Sequence, residues 1–168
     1  MRFCPRCATE LNDRLEEGRT RRVCPKEGCG FVHYGNPLPV VAAIVEHEGA
    51  VVLVRAQGWP EKFYGLVTGF LEAGESPQQG VLREVKEELD LEGEVRSLVG
   101  AYTFELRNEL IVAFHVVATG TLKLGDELLA YKKIAPEKLR PWDFGTGLAV
   151  RDWLAARASA QTSFTFLK

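Results

Sequence analysis

The chain has no cysteine beyond residue 29, a single methionine and only three histidines in 168 residues. It also lacks a charge excess: 21 basic residues against 23 acidic ones leave a formal net charge of −2. No global attraction to nucleic acid or to an anionic membrane follows from that balance. No hydrophobic run approaches the length of a bilayer span, and the opening MRFCPRCATE has no apolar signal core. A cytoplasmic location without membrane association is therefore expected. Internal repeats and low-complexity tracts are missing too. What remains is 46% hydrophobic and 26% charged, the composition of a globular protein with a real core. Its length suits one ordinary domain plus a small appendage.

The densest chemistry lies between Gly69 and Leu91, GFLEAGESPQQGVLREVKEELDL. Ser76 is a good N-cap, Pro77 suits the first helical position and Gln79 can close a capping box, so a helix starts there. Helical spacing places Glu84, Glu87 and Glu88 on one face, while Leu82, Val85 and Leu89 form a separate apolar stripe that docks on a core. Like charges at these spacings repel by a few tenths of a kcal/mol per pair. Three carboxylates together, with Glu75 in the loop before them, call for a compensating cation. Clustered oxygen ligands suit a hard ion such as Mg²⁺ or Mn²⁺.

All four cysteines fall in the first 29 residues, as Cys4-Pro-Arg-Cys7 and Cys24-Pro-Lys-Glu-Gly-Cys29. Two short pairs separated by 16 residues have the spacing of a four-thiolate zinc ribbon, the alternative being two disulfides. About 35 residues bury too little apolar surface to fold alone, and a metal supplies the missing stability. With every cysteine a ligand, no position stays open for a catalytic water, so this Zn²⁺ is expected to be structural. His33 reads as an alternative ligand or as a surface histidine. Seven positive charges up to residue 35 are offset by five negative ones, weak footing for phosphate contacts. Nucleic acid is therefore not the expected partner.

Gly35-Asn36-Pro37-Leu38-Pro39 reads as a linker. The β-branched runs Val40–Val45 and Val51–Arg55 flank His47-Glu48-Gly49-Ala50, a hairpin signature. Tyr64–Thr68, Glu94–Val99, Leu110–Thr119 and Ala130–Ile134 are expected as strands. Pro136–Leu139 reads as a helical turn and Leu148–Ala158 as a closing helix. The tail Thr162–Lys168 leaves three readings open: an extra strand, a dimer contact or disorder. A mixed sheet with helices on both sides accommodates this order of elements.

The pattern Gly69, five residues, Glu75, seven residues, then Arg83-Glu84-Val85-Lys86-Glu87-Glu88 resembles the Nudix box of the MutT-like pyrophosphohydrolases. One position departs: the family's glycine after the paired glutamates is Asp90 here, a residue that tolerates a left-handed helix end at modest cost. The resemblance implies an α/β fold, an α/β/α sandwich with a mixed sheet (residues 37–168) preceded by the zinc ribbon (residues 1–36). It implies Glu84, Glu87 and Glu88 as metal-binding glutamates, the Gly69 carbonyl as a further ligand, and Glu75 as an outer support. Arg83 would orient a box carboxylate through a bidentate pair. Glu127 sits where ribbon-bearing relatives carry a further glutamate, and reads as an extra ligand, a general base or a solvated turn residue.

A ribbon directly before the box resembles the NADH, ADP-ribose and FAD pyrophosphatase group. The NADH branch carries SQPWPFP shortly after its box, whereas this chain has Ala101-Tyr102-Thr103-Phe104-Glu105-Leu106-Arg107. That demotes NADH and NAD-capped RNA, and the coenzyme A signature is also absent. The expected substrate is a small nucleotide, first an adenosine-containing diphosphate such as ADP-ribose or FAD, cleaved to release AMP. Adenine wants an aromatic face, and Trp59, Phe63, Tyr64 and Phe70 lie near the loop, with Tyr131, Trp142 and Phe144 further on. Phe63, Tyr64 and Phe70 are the substrate-binding candidates; Lys132 and Lys133 are available to phosphate or to water. The competing classes are an RNA-contacting decapping protein and a nucleotide-binding regulator without turnover; the latter would be expected to have lost a box carboxylate. The family and the general preference for twofold assembly imply a homodimer.

Overall fold

The computed structural model describes the backbone of residues 1–165 and the side chains of residues 1–159. Contacts divide the chain into two compact units, Met1–Pro37 and Leu38–Lys168.

The first unit is a three-stranded antiparallel sheet of β1 (Asn12–Glu16), β2 (Arg19–Val23) and β3 (Val32–His33). Glu17 and Gly18 join β1 to β2 with φ of 50° and 78°, the double left-handed geometry of a two-residue hairpin turn. Only Cys4, Leu11, Val23 and Cys24 are buried in this unit, too little apolar surface for independent stability. His33 pairs with Arg22 in the ladder and is not one of the residues whose ligand atoms converge.

The second unit is built on β4 (Leu38–His47), β5 (Ala50–Ala56), β6 (Val67–Phe70), α1 (Pro77–Leu89), β7 (Glu92–Phe104), β8 (Glu109–Thr119), β9 (Leu128–Ile134) and α2 (Gly147–Thr165). The sheet runs β7-β8-β4-β5-β9, with β6 also on β4. Only β4 and β8 run parallel, so the sheet is mixed. The expected hairpin forms between β4 and β5, with Glu48 and Gly49 again at positive φ.

Strand β4 is apolar along nearly its whole length because both its faces are covered. Val41, Ala43 and Val45 join Val81, Val85 and Leu89 of α1 in one core, and Val40, Ala42 and Ile44 join Ala149, Val150 and Trp153 of α2 in the other. The result is the expected α/β/α layering. Val81, Val85 and Leu89 are fully buried, each worth about 1.5–3 kcal/mol relative to exposure.

Helix α1 starts and stops as its sequence dictates. The Ser76 hydroxyl accepts from the Gln79 amide, and the Gln79 side chain accepts from the Ser76 amide. Asp90 caps the other end at φ 54°, its amide donating to the Lys86 carbonyl. Its carboxylate is held by Lys86 at 2.6 Å and Lys123 at 3.3 Å, which offsets the left-handed strain glycine would avoid.

Several boundaries differ from expectation: β4 already begins at Leu38, within the expected linker, and β9 begins at Leu128 rather than Ala130. Strand β7 extends to Phe104 where the sequence suggested an end at Val99, since register shifts between Val95 and Ser97 and between Leu98 and Gly100 break its alternation. Strand β6 begins at Val67; upstream, Gly65 makes only an isolated bridge to Val54. Helix α2 continues to Thr165, so the first part of the tail is helical, while the remainder of the Thr162–Lys168 segment lies outside the described residues.

Candidate active site

The box folds as a strand, a loop and a helix that turn their polar groups toward one another. Gly69 sits in β6 opposite Val41 of β4. A Cβ built at Gly69 would lie 1.9 Å from the Glu84 carboxyl, so any side chain there would expel that carboxylate. Arg83 is the hub. Its Nε and Nη2 donate to the two oxygens of Glu75 at 3.2 and 2.8 Å. Its Nη1 donates to Glu84 at 2.6 Å and Glu87 at 3.2 Å, and its Nη2 also reaches the Phe70 carbonyl. The guanidinium thus meets three of the box carboxylates at once. Hydrogen bonds from Arg83, and then from the Glu72 amide, hold the Glu75 carboxyl below its usual range. Burial outweighs the same arginine at Glu84 and pushes its carboxyl up.

Glu88 has no such partner. Its Oε2 is buried and receives no hydrogen bond. Burial, reinforced by Glu84, Glu127 and Glu87, pushes its carboxyl up to about 8. Glu127 reaches this cluster because its loop is pulled against the end of α1: the Gly125 amide donates to the Glu88 carbonyl at 2.9 Å. A Cβ at Gly125 would meet the Glu87 carbonyl oxygen at 2.5 Å, so the close approach requires glycine. Gln57 fastens the loop from the other side, donating to the Asp126 carbonyl at 2.7 Å.

Glu84, Glu87, Glu88 and Glu127 line one cavity of about 480 Å³, with Gly69 and Phe70 in its wall. A second cavity of about 320 Å³ is walled by Trp59, Phe63, Phe104, Trp142 and Phe144. Phe63 is the centre of this aromatic group: its ring lies 5.1 Å from Trp59, 6.0 Å from Trp142, and 5.6 Å from Phe144 in a stacked arrangement. Of the sequence candidates, Phe63 lines the aromatic cavity and Phe70 the acidic one, whereas Tyr64 lines neither. Tyr64 packs against the α2-side core with the Lys132 ammonium 3.9 Å over its ring, which also takes Lys132 away from phosphate. Lys133 pairs with Glu48. Sequence reasoning missed Glu72, Arg107 and Glu109, which line these cavities. A lone glutamate opening a strand carries no motif, and only the fold brings it to the site.

The residues present fit a divalent cation: hard oxygen donors, a buried carboxylate oxygen without a partner, and a glycine that leaves room for Glu84. Their oxygens are not fully gathered, because Arg83 draws Glu84 and Glu87 to itself. Among the described residues the one group whose ligand atoms all lie within 4.8 Å is Cys4, Cys7, Cys24 and Cys29. The pairs Cys4–Cys29, Cys7–Cys24 and Cys7–Cys29 have their sulfurs 3.5–3.7 Å apart, close to the edge of about 3.8 Å that a tetrahedron with ~2.3 Å metal–sulfur bonds requires. The thiols are free, so the disulfide alternative is not what the fold presents. Thr9 lowers the Cys7 thiol to about 6, and burial raises Cys24 to about 12, an imbalance that a shared cation would level.

Comparison with known proteins agrees with this geometry. A family profile described as NUDIX domain matches residues 36–152, and one described as Nudix N-terminal matches residues 2–35. The NAD-capped RNA hydrolase NudC of Pseudomonas aeruginosa (strain LESB58) is 32% identical over 114 residues, 68% of this chain and 40% of that protein. The protein of the same name from Mycobacterium tuberculosis (strain ATCC 25177 / H37Ra) is 38% identical over 81 residues, 47% of this chain and 26% of its own. The chain thus spans about two fifths or less of the length of these curated relatives. Among solved structures, a Nudix hydrolase from Nitrosomonas europaea superposes with a TM-score of 0.72 at 30% identity, covering 83% of this chain and 80% of that one. An ADP-ribose pyrophosphatase from Streptococcus suis shares the fold at a TM-score of 0.60 and 20% identity, over 73% of this chain and 92% of its own. With the profile covering most of its length, the chain belongs to the Nudix family, and a Nudix N-terminal ribbon precedes its Nudix domain.

Proposed function

We propose that this chain is a metal-dependent pyrophosphohydrolase that cleaves the diphosphate linkage of an adenosine-containing nucleotide and releases AMP. ADP-ribose and FAD are the first choices and NADH a lesser one. The observation that carries the reading is Glu88: a buried carboxylate with an unpartnered oxygen, on the wall of an acid-lined cavity. A group so placed is costly to the fold unless a ligand uses it.

Glu84, Glu87 and Glu88, with the Gly69 carbonyl, would hold Mg²⁺ or Mn²⁺. Such an ion neutralises charge on the two phosphates and activates a water for in-line attack. Arg83 and Glu75 form the brace that sets the Glu84 and Glu87 carboxylates in position. Glu127, whose loop is fastened to both α1 and Gln57, is the carboxylate we assign to take the proton from the attacking water. Phe63 and its neighbouring rings offer adenine a stacking face. The cysteine cluster would hold a structural Zn²⁺ with no open position. The same reading assigns residues 1–36 to the ribbon and 37–168 to the hydrolase, in a cytoplasmic homodimer. Among the described residues no helix is long and apolar enough to cross a membrane.

The test is a substrate panel with Mg²⁺ or Mn²⁺: ADP-ribose, FAD, NADH and diadenosine polyphosphates, reading out AMP. ADP-ribose or FAD should give the highest kcat/KM, and Glu87→Gln and Glu88→Gln should lose turnover with an unchanged circular dichroism spectrum. Unchanged activity in both variants, or no AMP from any compound, would overturn the reading.

The relatives' names favour a second reading, in which the nucleotide is the capped end of an RNA. The ribbon gives it modest support. Arg2, Arg14 and Arg22 are paired with Glu10, Glu16 and Asp13, whereas Arg21 stacks 4.5 Å over Tyr34, an arrangement suited to an unpaired base. Binding of a capped RNA that weakens steeply with salt would promote this reading over the first.

A further inference from the structure

The acidic and aromatic cavities share a seam, and Thr68, Arg107 and Glu109 line both. Glu109 opens β8, its backbone held in the ladder between Leu38 and Phe104. It is only 9% exposed. Among the described residues nothing donates a hydrogen bond to its carboxylate and no cation lies within 4 Å of it, Arg107 included. Nothing in the packing of the strand requires a carboxylate there; the next residue on the same face, Ile111, is an ordinary core residue. Its carboxylate lines both cavities without a protein donor, so its two acceptors are open to donors that a ligand supplies.

The order of the two cavities says which donors. A nucleotide is a chain of phosphate, ribose and base. With the diphosphate among the glutamates and the base among the aromatic rings, the ribose falls at the seam. A carboxylate repels phosphate, but its two oxygens match the two adjacent hydroxyl donors of a ribose. The same chemistry places an acidic residue on the ribose of dinucleotides bound to unrelated folds. We infer that Glu109 holds the vicinal 2′,3′-diol of the ribose joining diphosphate and base, making it a specificity-determining residue that selects ribonucleotides over deoxyribonucleotides. The inference rests on the hydrolase reading above and adds to it the sugar that the site demands.

The experiment compares ADP-ribose with its 2′-deoxyadenosine and 3′-deoxyadenosine analogues, on the full chain with its metals. Wild type should favour the diol by about ten- to hundredfold in kcat/KM over either analogue, the range spanned by one hydrogen bond to a charged acceptor. Glu109→Ala should abolish the preference: ADP-ribose, which loses two hydrogen bonds, should fall the most, and the analogues, which lose one, should fall less, so that the three compounds approach a common rate. Glu109→Gln, which keeps one acceptor and nearly the same volume, should retain part of the preference and guards against a folding failure of the smaller residue. A wild type that does not discriminate would overturn the inference. So would a Glu109 variant that lowers all three compounds equally, the mark of a merely structural role. If no compound releases AMP or its deoxy counterpart, the hydrolase reading falls instead. The seam is then judged by calorimetry of AMP against 2′-deoxy-AMP, where tighter AMP binding supports it and equal affinities overturn it.

Discussion

In the ribbon unit four sulfurs stand within 4.8 Å of one another, whereas in the larger unit the glutamates share a cavity and two of them lean on Arg83. The contrast follows from what each unit has besides its ligands. The ribbon buries only a few side chains, and its converging cysteines form a cluster that could hold a cation in place of a core. The larger unit has two apolar cores, one on each face of its sheet, and can hold acidic groups in a costly arrangement without depending on them to fold. Full convergence marks a site that keeps its ion. A cluster braced by an arginine, with one carboxylate oxygen left over, marks a site meant to receive ligands.

Removing metal should separate the two units most sharply. Cys24→Ser, or a strong chelator, should unfold the ribbon, since structural zinc contributes on the order of 10 kcal/mol in small zinc modules. The β-sheet signals of residues 38–159 should persist, as heteronuclear NMR would register. Loss of both sets of signals together would erase the contrast. Next in size is Gly69→Ala. Its Cβ would displace Glu84, so turnover should fall by at least about tenfold, while overpacking costs about 1–3 kcal/mol of stability. Thermal unfolding and steady-state rates measure the two effects separately.

A pH series sharpens the comparison further. In the folded state Glu88 keeps its proton up to about 8, while the unfolded chain loses it near 4.5. The folded state therefore binds more protons between those values, and its stability falls as pH rises through that window. Chelator-treated protein should thus show a Tm that declines from pH 5 to pH 8, and added Mg²⁺ should restore more at pH 8 than at pH 5. An equal effect at both values would show that burial among the other acids does not keep Glu88 protonated in the folded state. The smallest effect is expected at Asp90. Asp90→Gly removes left-handed strain of about 1–2 kcal/mol but also two exposed ion pairs worth about 0–1 kcal/mol each, so it should stay within about 1 kcal/mol of wild type. Asp90→Ala keeps the strain, loses the pairs and should be the less stable of the two.

The helix that carries the box was legible because its signals are local: Ser76, Pro77 and Gln79 at the start, the glutamates at helical spacing, and Asp90 at the left-handed end. The β4–β5 hairpin was legible for the same reason, its two-residue Glu48-Gly49 turn sitting between β-branched runs. Illegible were features assembled from distant segments. The aromatic cavity draws Trp59 and Phe63, Phe104, and Trp142 and Phe144 from three places in the chain. Of the rings the sequence offered to adenine, Trp59, Phe63, Trp142 and Phe144 belong there, while Tyr64, Phe70 and Tyr131 do not and Phe104 was not foreseen. Tyr64, adjacent to Phe63, turns instead to Lys132. Glu109 is a lone acidic residue whose meaning comes from its place in the lining of both cavities. Bulges in β7 hid its residues beyond Val99 by breaking the alternation that marks a strand.

If the crowded acids of α1 serve to hold a divalent ion, calorimetric titration of Mn²⁺ into zinc-loaded protein will register it. Wild type should bind saturably, and Glu88→Gln should bind at least about tenfold more weakly while its zinc content and folded spectrum stay unchanged, because removing one charged ligand costs 1.4 kcal/mol or more. Equal affinity in the two proteins, or no saturable binding to wild type, would contradict it.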